Sequence, residues 1–267
     1  MFDATLDPDD HAKGLTNDRI DALRYDNQSN DPYEVPGILK TLMPMNVRVL
    51  DVGAGTGSIT RIVNEDKGND VLAIEPDQER AKICRSRGIE THAGLLDDRF
   101  AEMCGSFDVV VFSDVLEHVV SPAALLAVTR NILSDEGLLL ASVPNVAHWT
   151  IRWNLLLGRF DYTATGLMDA THLRWFAERN LRALFEQCGF EIVEMRHSAG
   201  AWLPEYKKGV FRLIPRRIRC RGIWVLTKLF PRLFGCQHIV KARKAGTSPN
   251  AEVFQVPRSQ TPHGPRY

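Results

Sequence analysis

"VLDVGAGTG", residues 49–57, runs an aliphatic stretch into three closely spaced glycines, Gly53, Gly55 and Gly57. Valine and leucine suit a pleated, buried strand. Glycines at its end let the backbone turn tightly and approach a ligand closely. In an open α/β sheet that place, past the carboxyl end of a strand, is where ligands bind. The spacing is not the dinucleotide GxGxxG, because the sixth position is Ser58 and the third glycine arrives one residue early at Gly57. The GK[ST] of a phosphate loop is also absent.

Outward from this loop, apolar runs alternate with helical patterns. Strands are expected at 47–52, 70–75, 89–94, 107–113 and 137–144, and helices at 35–42, 58–67, 76–88 and 121–133. The last of these helices is capped by Ser121, with Pro122 at its first position. Nearly continuous Val/Leu/Ile strands between helices indicate a parallel sheet covered on both faces. Right-handed crossovers then give a doubly wound α/β layer. Past residue 144 the pattern changes. An aromatic helix is expected over 145–160, a helix over 178–189, and strands at 190–198 and 236–244. This divides the chain into a flexible acidic N-terminus (1–30), a main domain (31–244) with a basic amphipathic insertion (206–232), and a disordered tail (245–267).

The 267 residues are 44% apolar and 25% charged, as in an ordinary globular protein. No run of ~18 apolar residues occurs, so no membrane-spanning helix is expected. The acidic, polar start "MFDATLDPDDHAKG" does not read as a signal peptide. Five scattered cysteines without a CxxC pair suggest free thiols in a reducing cytosol. The zero net charge hides an asymmetry: residues 206–244 hold 12 Lys/Arg and no Asp/Glu. Mixed with Trp, Leu and Phe, they suggest a helical cap with snorkelling arginines, then an anionic membrane surface, then RNA, in that order.

A second acid sharpens the reading of the glycine loop. Glu75 ends the next strand, ~20 residues on, where a carboxylate can accept both hydrogen bonds of a ribose diol. The ordered motifs "VLDVGAGTG", "VLAIEPD", "FDVVVFSDVLEHV" and "GLLLASVPN" resemble those of class I S-adenosylmethionine-dependent methyltransferases, from about Val47 to about Lys244. The resemblance implies a Rossmann-like seven-stranded sheet with its last strand antiparallel. It implies that Gly53, Ala54, Gly55 and Gly57 lie under the cofactor, that Asp51 holds the loop, and that Glu75 binds the ribose. Pro76 and Asp77 would border the adenine, Ser113 would lie near the cofactor, and Leu95 or Asp97 would take the adenine contact, since Gly94 stands where the family often has Asp.

"FSDVLEHVVSP", residues 112–122, raises a further question, because Asp114, Glu117 and His118 would share a face if they formed one helical turn. The later run "THLRWF" brings His172 with an aromatic pair. Together they resemble the metal-dependent ubiquinone-biosynthesis O-methyltransferases and the small-RNA 3′-terminal 2′-O-methyltransferases, with Asp114 in place of a glutamate. That resemblance implies that Asp114, Glu117, His118 and His172 hold Mg²⁺, with Glu117, His118 and His172 as catalytic groups. The other reading is a polar wall that orients the acceptor. The run "PNVAHW…GRFDYT…THLRWF" also resembles bacterial methyltransferases of unassigned substrate. Phe160, Tyr162, Trp175 and Phe176, with Trp149 and Trp153 upstream, suit a lid, but for most of them simple cover of the sheet end is the stronger reading. The expected activity is O-methylation of a small-molecule or lipid- or glycan-linked hydroxyl. The alternatives are RNA 2′-O-methylation, or a non-catalytic scaffold that binds the cofactor and docks on membranes or partners. The expected place is the cytoplasm, peripheral to the inner face of the membrane through 206–244.

Overall fold

The computed structural model describes residue 23 and residues 25–246. The expectations for residues 1–22 and 247–267 lie outside it. The elements follow the hydrophobic periodicity in chain order: α1 (Val35–Leu42), β1 (Arg48–Val52), α2 (Ser58–Asn64), β2 (Asp70–Glu75), α3 (Gln78–Ser86), β3 (Glu90–Ala93), α4 (Asp98–Cys104), β4 (Phe107–Ser113), α5 (Pro122–Ile132), β5 (Leu133–Pro144), α6 (Trp149–Leu156), α7 (Glu178–Gln187) and β6 (Phe190–His197). After two 3₁₀ turns come α8 (Arg216–Leu229), α9 (Pro231–Phe234) and β7 (Gln237–Lys244).

The seven strands form one sheet in the order β3-β2-β1-β4-β5-β7-β6. The first five run parallel, and β7 is antiparallel to both its neighbours. This is the seven-stranded sheet with an antiparallel last strand that the motif order implied. Successive side chains on a strand face opposite ways, and the core divides accordingly. Leu50, Val110 and Leu139 join Phe100, Leu126 and Phe185 on one face. Val49, Val109 and Leu140 join Ile38, Leu39 and Val63 on the other. A third cluster sits beyond the sheet end, where Ile151 of α6, Leu167, Tyr206 and Ile223 of α8 meet.

Strand order reverses between β1 and β4, so a crevice opens there at the carboxyl ends. The glycine loop leaves β1 on one side of it and the segment after β4 leaves on the other. The two are pressed together: a Cβ on Gly53 would lie 2.7 Å from Val115 Cγ2. All five cysteines are free. Among the described residues no helix is long and apolar enough to cross a membrane.

Residues 114–120 form a turn, so Asp114, Glu117 and His118 do not share a helical face, and the helix begins at Pro122 after the Ser121 cap, as expected. Asp114 has φ 55°, in the left-handed region, so its side chain leaves the strand in a direction a helical residue could not take. In addition, α4 occupies 98–104, where no element was expected.

Candidate active site at the β1–β4 crevice

The glycine side is built from neighbours in sequence. Gly55 has φ +58° and donates its N–H to Glu75 Oε2 at 2.8 Å, while Asp77 N–H donates to Glu75 Oε1 at 3.0 Å. Each carboxylate oxygen thus takes one backbone donor and keeps a lone-pair direction for a second. A Cβ on Gly55 would meet nothing within 4 Å, whereas one on Gly57 would strike Ile89 at 2.5 Å. The open ground in front of the loop is therefore at Gly55, and Gly57 is required by packing. Gly53 and Ala54 both donate N–H groups to the Ile74 carbonyl, which ties the loop to β2.

Asp51 lies beneath the loop, accepting from Thr60 Oγ1 at 2.7 Å. Burial, with the Glu75 charge adding to it, pushes its carboxyl up to about 7. Asp77 caps α3 by accepting from the Arg80 N–H, with Pro76 exposed beside it. Leu95 is 67% exposed. The Asp97 carboxylate caps α4 by accepting from the Phe100 N–H at 2.9 Å, which explains an acid at that position without a ligand. Ser113 ends β4, with its hydroxyl 3.4 Å from that of Ser142.

The opposite side is assembled from distant segments. The Glu117 carbonyl accepts the N–H groups of Leu173 (2.7 Å) and Arg174 (3.0 Å), which docks the "THLRWF" run onto the β4 turn. That contact brings one ligand atom each from Glu117, His118 and His172 within 4.8 Å of one another. The two imidazole rings stand 4.8 Å apart, edge to face. Glu117 is buried, and no other described residue donates a hydrogen bond to either carboxylate oxygen. Burial, reinforced by the Asp114 and Asp169 carboxylates, drives its carboxyl well above the usual range. Such a group takes up either a proton or a cation.

Asp114 does not join these three. Its Oδ1 accepts from Ser142 Oγ and Gln237 Nε2, both at 2.8 Å, so it braces β5 and β7 and leaves the expected four-ligand set one short. His118 Nδ1 lies 3.2 Å from the Thr171 carbonyl, which can only accept. A proton on Nδ1, donated to that carbonyl, would leave the lone pair on Nε2.

Sequence reasoning missed Asp169, Thr171 and Tyr25. Asp169 is buried and accepts from Thr171 N–H (2.9 Å), Thr171 Oγ1 (2.7 Å) and Tyr25 OH (2.6 Å). The next residue, Asp26, pairs with Arg87 through both oxygens, at 2.7 and 2.8 Å, and Thr56 Oγ1 donates to it. The segment before α1 therefore runs from the glycine loop to the loop holding His172. The aspartate in "MDATH" was the available signal.

The aromatic residues divide. Phe160, Tyr162 and Trp175 stack mutually, with centroids 5.7–6.3 Å apart, in the irregular loop that carries His172. Phe176 belongs to the main core, Trp149 packs on Tyr206, and Trp153 is exposed. His148 is fully buried beside Trp149, and burial lowers its pKa to about 4.

A family model described as "Methyltransferase domain" matches residues 13–195, more than half of the chain. The chain belongs to the methyltransferase domain family. Its sheet and motifs are those of the class I S-adenosylmethionine-dependent branch. It is 31% identical over 148 residues to the ubiquinone biosynthesis O-methyltransferase of Xanthomonas axonopodis pv. citri, covering 53% of this chain and 61% of that one. It thus spans less than two thirds of that relative. Among solved structures, a Haloferax volcanii methyltransferase in complex with a methyltransferase activator aligns with a TM-score of 0.56 at 16% identity, covering 88% of this chain and 97% of the other. The Haemonchus contortus phosphoethanolamine N-methyltransferase 2, solved with S-adenosyl-L-methionine, aligns with a TM-score of 0.52 at 15% identity, covering 79% of this chain and 52% of the other. At these identities the likeness concerns the fold alone.

Proposed function

We propose that this methyltransferase-family chain methylates a hydroxyl group of a small or lipid-linked acceptor. The observation that carries the reading is the buried Glu117 carboxylate beside the paired imidazoles of His118 and His172, after β4. The Xanthomonas relative, an O-methyltransferase of ubiquinone biosynthesis, supports oxygen as the acceptor atom.

The glycine side fits S-adenosylmethionine. Glu75 keeps one acceptor direction on each oxygen for a ribose diol, Gly55 leaves the ground open, and Asp51 sits below the loop, where it orients the amino group. When bound, that cofactor supplies an electrophilic methyl on a sulfonium, so the protein's task is alignment and exclusion of water. Glu75, Gly55 and Asp51 would hold that cofactor, and its methyl would be supplied to the acceptor oxygen. The hydroxyl proton needs a base, and His118 would serve through Nε2 with Nδ1 held against the Thr171 carbonyl. Tyr162 and Trp175, packed together in the loop that carries His172, would cover the acceptor.

The acceptor side also fits a divalent cation. One carboxylate and two imidazoles suit an ion of the Mn²⁺ or Zn²⁺ type better than Mg²⁺, which prefers an all-oxygen shell. Such an ion, when bound, lowers the pKa of a coordinated hydroxyl. Glu117, His118 and His172 would hold it, and Asp114 would not.

The test is transfer of a labelled methyl group to lipid, small-molecule, glycan and RNA extracts, with and without EDTA. Label in a hydroxyl-bearing small molecule or lipid, lost in Glu117→Gln, is expected. Label confined to RNA, or cofactor binding without transfer to any extract, overturns the reading.

A further inference from the structure

A helix lying on a protein surface ordinarily turns its apolar stripe inward and its charges outward. α8 presents apolar side chains on both faces. Its inner face is carried by buried Ile223 and Thr227, with Trp224 packed on Tyr33 at 4.9 Å between ring centroids. On the far side, Ile218, Val225 and Leu229 are 65%, 40% and 65% exposed. Their spacing of i, i+7 and i+11 aligns them in one outward stripe. Arg217, Arg221 and Lys228, all exposed, lie along one flank of that stripe. Among the described residues no ion pair involves Arg217 or Arg221.

The charge pattern decides what covers this face. Residues 206–244 hold 12 Lys/Arg and no Asp/Glu, so this segment supplies no acid to neutralise the flank. Exposed aliphatic side chains beside unpaired arginines match a layer with anions at one level and hydrocarbon just below it. A bilayer with anionic headgroups has that arrangement.

We propose that the outer face of α8 is a docking surface for an anionic lipid bilayer. The helix lies in the headgroup plane, with Ile218, Val225 and Leu229 in the acyl boundary and Arg217, Arg221 and Lys228 on the phosphates. The inner face keeps its packing on the cluster shared with Ile151 of α6 and Leu167, so docking requires no rearrangement of the fold. The proposal rests on the surface alone and is independent of the acceptor.

Co-sedimentation of the full chain with vesicles tests it. One set contains phosphatidylcholine only, and the other contains phosphatidylcholine with an equal part of phosphatidylglycerol. Sedimentation with the anionic set alone is expected, weakening as salt is raised. Arg217→Ala and Arg221→Ala should each weaken it about fivefold, and the double variant Ile218→Asp, Leu229→Asp should abolish it. These side chains are exposed, so melting temperature and S-adenosylmethionine titration should match the wild type and report any loss of fold. Equal sedimentation with both vesicle sets overturns the proposal, as does binding that survives the double variant. A wild type that self-associates without lipid and becomes monomeric in the double variant also overturns it, because the face then belongs to a second copy. None of these readouts is an activity, so failure here leaves the methyl-transfer reading standing.

Discussion

The two walls of the crevice are made differently. On the glycine side the hydrogen bonds that shape the cofactor ground join residues within about one βα unit: Gly55 to Glu75, Asp77 to Glu75, Asp51 to Thr60. On the acceptor side Glu117 meets Leu173, Asp169 meets Tyr25, and Asp114 meets Gln237. One wall is specified by local backbone chemistry, with glycines at positive φ and a strand-end acid. The other exists only after the sheet has formed and the loop after α6 has folded back. The first wall is thus expected to tolerate damage to the second, and the reverse.

The largest expected effect breaks the acceptor wall alone. His118→Ala should lower methyl transfer by about 10³-fold, the range for a lost general base, and Glu117→Gln should lower it as well, both with S-adenosylmethionine affinity unchanged by calorimetry. Glu117→Gln removes a buried carboxyl that burial already disfavours, so its melting temperature should hold or rise. A large fall in cofactor affinity in either variant would show that the walls are coupled.

The converse substitution is next in size. Glu75→Ala removes acceptors for two backbone N–H groups and for a ribose diol, and should weaken S-adenosylmethionine binding about 100-fold or more. Metal uptake by Glu117, His118 and His172, followed by titration with Mn²⁺, should survive it.

Acidity separates the buried imidazoles from the buried Asp51 carboxyl by sign. His238, on β7 beside the acceptor wall, is buried and lowered to about 3, first by desolvation and then by His197. Its neutral form is the native one, so its stabilising contribution is complete above about pH 6.5 and is lost as pH falls towards 3. His148, lowered to about 4 by burial, acts in the same direction. Asp51, raised to about 7, acts in the opposite one: the native state holds the proton, and stability declines as pH rises from about 4 to 7. Urea midpoints should therefore rise for Asp51→Asn at pH 8 and change little at pH 5, while His238→Gln should flatten the acid limb. The same slope in both variants and the wild type would refute the assignment.

The smallest effect concerns the segment linking the walls. Asp26→Ala removes a two-oxygen pair with Arg87 that holds its carboxyl near 2, and should lower stability by ~1–2 kcal/mol. Hydrogen exchange in residues 166–172 should quicken, because Tyr25 next to it anchors Asp169 and Gly166.

Much of this was legible beforehand for a physical reason. Strand β2 at 70–75, β4 at 107–113 and α1 at 35–42 carry unambiguous periodicity and clear stops, and they stand where they were expected. The glycine loop and Glu75 could be read together because a short turn and a strand end hold them. α4 escaped notice because "DRFAEMC" is brief and nearly aperiodic, and the acid that caps it, Asp97, was assigned to a ligand. Spacing could not tell the turn at 114–120 from one helical turn, because Asp114 takes a left-handed conformation. Residue type alone does not reveal that choice.

The sequence by itself determined the doubly wound sheet, the glycine loop and its acid, and the presence of Glu117, His118 and His172. Those depend on periods of two and 3.6 residues and on backbone freedom, which act over a few neighbours. Only the tertiary structure decided which polar groups meet. It turned Asp114 away to Ser142 and Gln237, brought His172 to Glu117, and bound Tyr25 to Asp169 across 144 positions. It also set Ile218, Val225 and Leu229 outward. An apolar helical stripe is the same in sequence whichever way it faces, and its direction is fixed only by what packs behind it.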